Sequence, residues 1–177
     1  MSRAKDIKWI VIHATAGFQN AKNTNDYFLR PKSDGGRGWN TGGYREIIEL
    51  DGKRVVLYPY EKVTNGVEGF NKHLINISYV GGVEKLPNGK FKSVDTRTNE
   101  QKRSLIEAIC EAKDWIDKNG GDSRKVGIVG HYDFSPDQNK NGIIEPFERI
   151  KDCPCFNARL EYASMNFNGK MSDLPKL

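Results

Sequence analysis

The chain predicts a single α/β domain, a mixed central β-sheet of about five or six strands flanked by helices, on three observations. Two apolar runs, Ile7 to His13 and Lys125 to His131, are apolar at successive positions, as strands covered on both faces are. A long stretch between them carries apolar residues at helical spacing. At 177 residues the chain holds one domain core and falls short of two comfortable ones.

In the first run, Ile7, Trp9 and Val11 alternate with Ile10 and Ile12, and His13 stands at the exit. A short helix is predicted from Asn23 to Leu29. The stretch SDGGRGWNTGG, 33–43, matches neither a phosphate loop nor a dinucleotide fingerprint and reads as a mobile loop. YREIIELDGKRVVLY, 44–58, reads as a hairpin turning at Asp51 and Gly52, a dipeptide suited to a two-residue turn. INISYVGGV adds a strand from Ile75. The clearest helix begins at Thr98, which pairs with Gln101 in a capping-box pattern; Leu105, Ile109, Ala112 and Ile116 form its inner stripe, and Gly120 stops it. The second apolar run follows, with Val126, Ile128 and Val129 ending in His131, and a last helix is expected from Asn157 to Ala163. Residues 166–177 form a polar tail expected to be poorly ordered.

Composition narrows the function classes. With 28 Lys and Arg against 23 Asp and Glu the net charge is +5, compatible with an anionic cell wall or a nucleic acid, but the two signs are interspersed, so a nucleic-acid patch is not expected. No apolar stretch reaches the length of a membrane span, and the first residues lack a signal peptide's apolar segment, so synthesis in the cytoplasm is expected. Three cysteines, two of them separated by one proline, make a disulfide framework a poor reading. Cys110 is expected to be a small core residue, and His73 a surface one.

His13 and His131 end two strands that, as parallel neighbours, would bring both imidazoles to the carboxyl edge of the sheet, where open sheets hold ligands. Cys153 follows His131 by about twenty residues. Two imidazoles and one thiolate form a donor set suited to zinc, and three protein ligands leave a fourth tetrahedral position open, as in catalytic sites.

The phrases IKWIVIHATAG, GGYREII, NISYVGGVE, GHYDFSPD and IKDCPCF, in this order between about Ile7 and Phe156, resemble the zinc-dependent N-acetylmuramoyl-L-alanine amidases, which share a fold with the peptidoglycan recognition proteins, and most closely their phage lysozyme-type members. The resemblance implies that residues 1–165 form an amidase catalytic domain. It implies zinc ligands at His13, His131 and Cys153, the cysteine preceding proline being preferred over Cys155, a catalytic tyrosine at Tyr44 and a catalytic lysine at Lys151. The implied reaction is hydrolysis of the amide joining N-acetylmuramic acid to L-alanine in peptidoglycan, by a monomer that reaches the wall after release or delivery; the alternative is a recognition module that binds peptidoglycan without turnover. One departure stands out. Many relatives carry a histidine in the strip before the NISYVGG-like strand, where this chain has Asn65 and Gly66.

DQNKNGIIEPFE, 137–148, also matches the twelve-residue calcium-loop pattern, with Asp137, Asn139, Asn141, Ile143 and Glu148 as candidate ligands. The competing reading is a turn made by Asn and Gly, since Pro146 interrupts the loop and no helix precedes it.

Overall fold

The strands are β1 (Trp9–Ala14), β2 (Glu46–Ile48), β3 (Arg54–Val56), β4 (Leu74–Tyr79), β5 (Val83–Lys85), β6 (Phe91–Ser93) and β7 (Gly127–Gly130); the helices are α1 (Ala21–Leu29), α2 (Asn99–Lys118) and α3 (Ala158–Glu161). The computed structural model describes residues 2–165, so the tail expected at 166–177 lies outside the described residues. Five strands form the expected mixed sheet in the order β3-β2-β4-β1-β7, parallel except for the antiparallel edge strand β3. β1 lies inside it, between β4 and β7, with all six residues buried.

The two faces of β1 enter different clusters. Ile10 and Ile12 join Ile77, Ile128 and the inner stripe of α2 (Leu105, Ala108, Ile109, Ala112 and Ile116), while Trp9 and Val11 join Leu74 and Val129 on the other side. Each of the fully buried Ile, Leu and Val side chains contributes roughly 1.5–3 kcal/mol relative to exposure. Ile7 departs from the alternation and packs with Ile10 and Ile12, because it ends the 3-10 turn Arg3–Asp6 and precedes the strand. The capping box at Thr98 and Gln101 forms as expected. Gln101 is also wholly buried and donates to the carbonyls of Ile48 and Val80, fixing α2 to the ends of two strands.

Three local readings are corrected. The β2–β3 connection is a three-residue loop, Leu50-Asp51-Gly52, because Glu49 N–H pairs with the Lys53 carbonyl and Gly52 takes a positive φ of 84° just before that pair. The strand expected to run on from Ile75 through Gly81 and Gly82 breaks there, and Val83 starts a separate β5–β6 hairpin; Gly82 sits so close to β1 that a Cβ would come within 2.4 Å of the Ala14 Cβ. Cys110 is exposed, one position off the stripe that ends up inside. The glycine-rich loop is fastened to the end of α1 by Arg37, Gly38 and Trp39, whose N–H groups donate to the carbonyls of Tyr27, Arg30 and Phe28.

Two charged clusters brace the edges. Buried Glu46 lies between Arg45 and Arg54. Arg97 pairs with Asp95 and Glu161 and stacks 3.2 Å above the Phe156 ring, tying the segment after Cys153 to the loop before α2.

Candidate metal centre

β1 and β7 are parallel neighbours with Ile12 opposite Gly130, so His13 and His131 emerge side by side at the carboxyl edge, their ring centroids 4.9 Å apart. His131 opens a 3-10 turn held by Asp133, whose carboxylate accepts the Gly130 N–H at 2.7 Å and pairs with Arg159 at 3.0 Å. Cys153 comes from the irregular segment after the 137–148 loop and is pinned through its own backbone. Its carbonyl accepts the Tyr132 N–H at 2.8 Å, and the next carbonyl, of Pro154, accepts the Tyr79 hydroxyl at 2.7 Å. Gly130 makes room for this segment, since a Cβ there would meet the Pro154 ring at 2.5 Å.

The side-chain donors of His13, His131 and Cys153 lie within 4.8 Å of one another, and among the described residues no other histidine, cysteine or carboxylate joins them. His13 Nδ1 is 3.8 Å from Cys153 Sγ, while its Nε2 faces Asn76 Oδ1 at 2.9 Å. In tetrahedral zinc the sulfur and nitrogen donors are about 3.6 Å apart, so the His13–Cys153 pair needs only a slight contraction, and the widest pair of the trio, at no more than 4.8 Å, a larger one. The residues present therefore fit zinc. Cys155, two residues on, turns its thiol to the Gly82 carbonyl at 3.1 Å and stays out of the trio, in agreement with the preference for Cys153.

Electrostatics suit a neutral pair of imidazoles. Burial lowers the His13 pKa far below the usual histidine range, with the neighbouring His131 and Lys151 adding to the effect. Burial, then the Lys151 charge, lowers His131 to about 4. Burial pushes the Cys153 thiol up to about 12, against the hydrogen bond from Ala14 N–H at 3.2 Å that favours the thiolate. Tyr44 lies over His13 at 4.9 Å between centroids and edge-on to Phe28 at 5.5 Å. Burial and the nearby Cys153 raise its pKa, which keeps the phenol protonated at neutral pH. Lys151 is exposed and, with His131, lines both halves of a groove.

One half of that groove, about 1050 Å³, runs past Thr41, Lys62, Val67 and Phe70; the other, about 690 Å³, past Thr15, Phe28, Tyr44 and Cys153. Arg37, Trp39, Asn65 and Gly66 belong to both. The structure thus gathers His13, His131, Cys153, Tyr44 and Lys151 at one place. His73 lies elsewhere, its Nδ1 facing the Asp6 carbonyl at 2.9 Å.

The 137–148 loop is apart from the groove. Glu148 is buried, and its carboxylate accepts the N–H groups of Gln138, Asn139 and Glu145; Asp137 accepts those of Asn141 and Gly142. Asn139 and Asn141 turn their own oxygens to backbone N–H groups, and Ile143 N–H donates to Asn141. This geometry is that of a self-capped turn and gives the calcium reading no support.

Sequence reasoning missed Asn76. A lone amide inside the apolar strand LINISY was its only signal, because a wholly buried polar side chain in a central strand requires a partner.

A family model described as N-acetylmuramoyl-L-alanine amidase matches residues 3–154. An uncharacterized protein of Haemophilus influenzae is 35% identical over 91 residues, which are 51% of this chain and 69% of that protein. Among solved structures, the chain resembles the N-acetylmuramoyl-L-alanine amidase LysC of Clostridium intestinale, with 20% identity, a TM-score of 0.58 and coverage of 94% of this chain and 90% of that one. It resembles the Ph2119 endolysin of a Thermus scotoductus bacteriophage at 22% identity and a TM-score of 0.55, over 92% and 86% of the two chains. A mutant of Drosophila PGRP-LB in complex with tracheal cytotoxin gives 15% identity and a TM-score of 0.58, over 92% and 84%. These structural likenesses show a shared fold, and the family match, which spans most of the chain and takes in all three candidate ligands, gives the assignment: the chain belongs to the N-acetylmuramoyl-L-alanine amidase family.

Proposed function

We propose that the protein is a zinc-dependent hydrolase that cleaves the amide between N-acetylmuramic acid and L-alanine in peptidoglycan. The observation that carries this reading is the His13, His131 and Cys153 trio, three donors without a fourth among the described residues, with His131 lining both halves of the groove and Cys153 one of them. His13, His131 and Cys153 would hold the zinc, and when bound it would supply Lewis acidity to the amide carbonyl and to water.

The surrounding side chains supply the rest. Tyr44 keeps its proton at neutral pH and so acts as a hydrogen-bond donor, toward the developing oxyanion or the leaving amine, and not as the initial base. Lys151 brings a positive charge to the same mouth, where a thiolate ligand leaves less positive charge than a third imidazole would. The stem peptide and the glycan would occupy the two halves of the groove. Among the described residues no helix is long and apolar enough to cross a membrane, and the proposed place of action is the cell wall, reached after release or delivery.

The competing reading is recognition of peptidoglycan without turnover, since the fold is shared with peptidoglycan recognition proteins, a PGRP-LB mutant with tracheal cytotoxin bound among them. Incubation of zinc-loaded protein with purified sacculi separates the two. Hydrolysis releases new N-terminal L-alanine in proportion to enzyme and time; binding to sacculi with no new N-terminus would refute the catalytic assignment.

A further inference from the structure

Asn76 is wholly buried in β4, beside β1, with its side chain between His13 and the loop before β4. On one side its Oδ1 lies 2.9 Å from His13 Nε2; on the other its Nδ2 lies 3.1 Å from Thr64 Oγ1 and 3.5 Å from the Thr64 carbonyl. The Thr64 carbonyl can only accept, so it selects the amide orientation with Nδ2 toward Thr64. Oδ1 must then face the histidine. An oxygen acceptor there requires His13 Nε2 to carry the proton, which leaves the lone pair on Nδ1, the nitrogen facing Cys153 at 3.8 Å.

Gly66 completes the arrangement. A Cβ at that position would come within 2.3 Å of Asn76 Oδ1 and 2.4 Å of its Cγ, a clash with an amide held at both ends. The departure at Asn65 and Gly66 thus acquires a structural reason: the residue without a side chain leaves space for the amide behind His13.

We infer that Asn76, oriented by Thr64 and given room by Gly66, is a positioning residue that fixes the ring tautomer of His13 and so presents Nδ1 to the metal. Its consequence for zinc rests on the proposed function, whereas the tautomer itself does not. Removing such a partner behind a metal-bound histidine costs about 10- to 100-fold in metal affinity.

The test uses the full chain with 15N-labelled histidine, stripped of metal by a chelator, and long-range 1H–15N correlation spectra at pH 7. Wild type should show His13 as the Nε2–H tautomer. Asn76→Ala and Gly66→Ala should each lose that pure signature, whereas Asn76→Asp, which keeps an acceptor toward Nε2, should retain it. Zinc affinity by chelator competition should fall 10- to 100-fold in Asn76→Ala and recover in Asn76→Asp. Thr64→Val removes the shorter of the two contacts that hold Asn76 Nδ2, leaving only the backbone carbonyl at 3.5 Å, and should weaken zinc by roughly three- to tenfold, which keeps the inference testable if the alanine variant fails to fold. An unchanged His13 tautomer in Gly66→Ala together with unchanged zinc affinity in Thr64→Val would overturn it. A tautomer that follows Asn76 in a wild-type chain that takes up no zinc would uphold the inference and refute the zinc reading.

Discussion

Acidifying the metal-free protein should destabilise it through His131 in a defined pH window. The folded state holds this imidazole at about 4, against about 6.5 in an unfolded chain, because burial and the charge of Lys151 disfavour the imidazolium. The folded form therefore binds fewer protons than the unfolded form below pH 6.5. Stability falls as pH drops from about 6.5 toward about 4, and the group adds no further loss below that. Between pH 7 and pH 5 the difference comes to about 2 kcal/mol from His131 alone. His13, packed against it and also held low, acts in the same sense; Asp133, whose carboxyl burial raises, acts in the opposite one, and Asp95 and Asp117, held low by their partners, lose their contributions only in more acid solution. Urea melts of chelator-treated wild type and His131→Asn at pH 7 and pH 5 read this term together with the smaller effect of His131 on His13, which has the same sign. Wild type should lose about 2 kcal/mol more than the variant over this interval. Equal losses in the two proteins, or a wild type that gains stability on acidification, would refute the reasoning.

Other consequences are simpler to check. Cys153→Ala should lose bound zinc and hydrolysis of sacculi together, whereas Lys151→Ala should keep zinc and lose turnover by roughly 100- to 1000-fold, the scale for removing one oxyanion-stabilising group; metal analysis and product release, measured on the same preparations, check both. Glu148→Gln replaces an acceptor of three backbone N–H groups with a group that has one acceptor oxygen, and should cost roughly 1–3 kcal/mol, read as a lowered melting temperature. Since Asp137 and Glu148 already spend their oxygens on the backbone, calcium and a calcium-selective chelator should leave the wild-type melting curve unchanged; a rise with calcium would revive the loop as a cation site.

What was legible in the sequence was what local pattern controls. The uninterrupted apolar runs before His13 and His131 marked strands buried on both faces, though their parallel adjacency was a supposition that the sheet bears out; the stripe from Leu105 to Ile116 and the Thr98 cap defined α2. Cys153 stood out by its thiol and its spacing from His131, but its preference over Cys155, and the roles of Tyr44 and Lys151, came only by resemblance, because each sits on irregular backbone whose path depends on distant contacts, such as Tyr79 to Pro154. Cys110 was misplaced because one helical step of about 100° separates it from Ile109, enough to turn it from core to solvent. The loop at 33–43 looked mobile by composition, yet its backbone N–H groups find carbonyls at the end of α1 that no local pattern announces. Asn76 was missed for a similar reason. Its meaning lies in Thr64 and His13, one reached across a loop and the other across a strand pair.

X-ray absorption at the zinc edge of the loaded protein tests the central claim most directly. One sulfur at about 2.3 Å and three nitrogen or oxygen neighbours at about 2.0–2.1 Å, two of them imidazoles, is the predicted shell. A shell with two sulfurs, or with none, would contradict a centre built from His13, His131 and Cys153 with one position open.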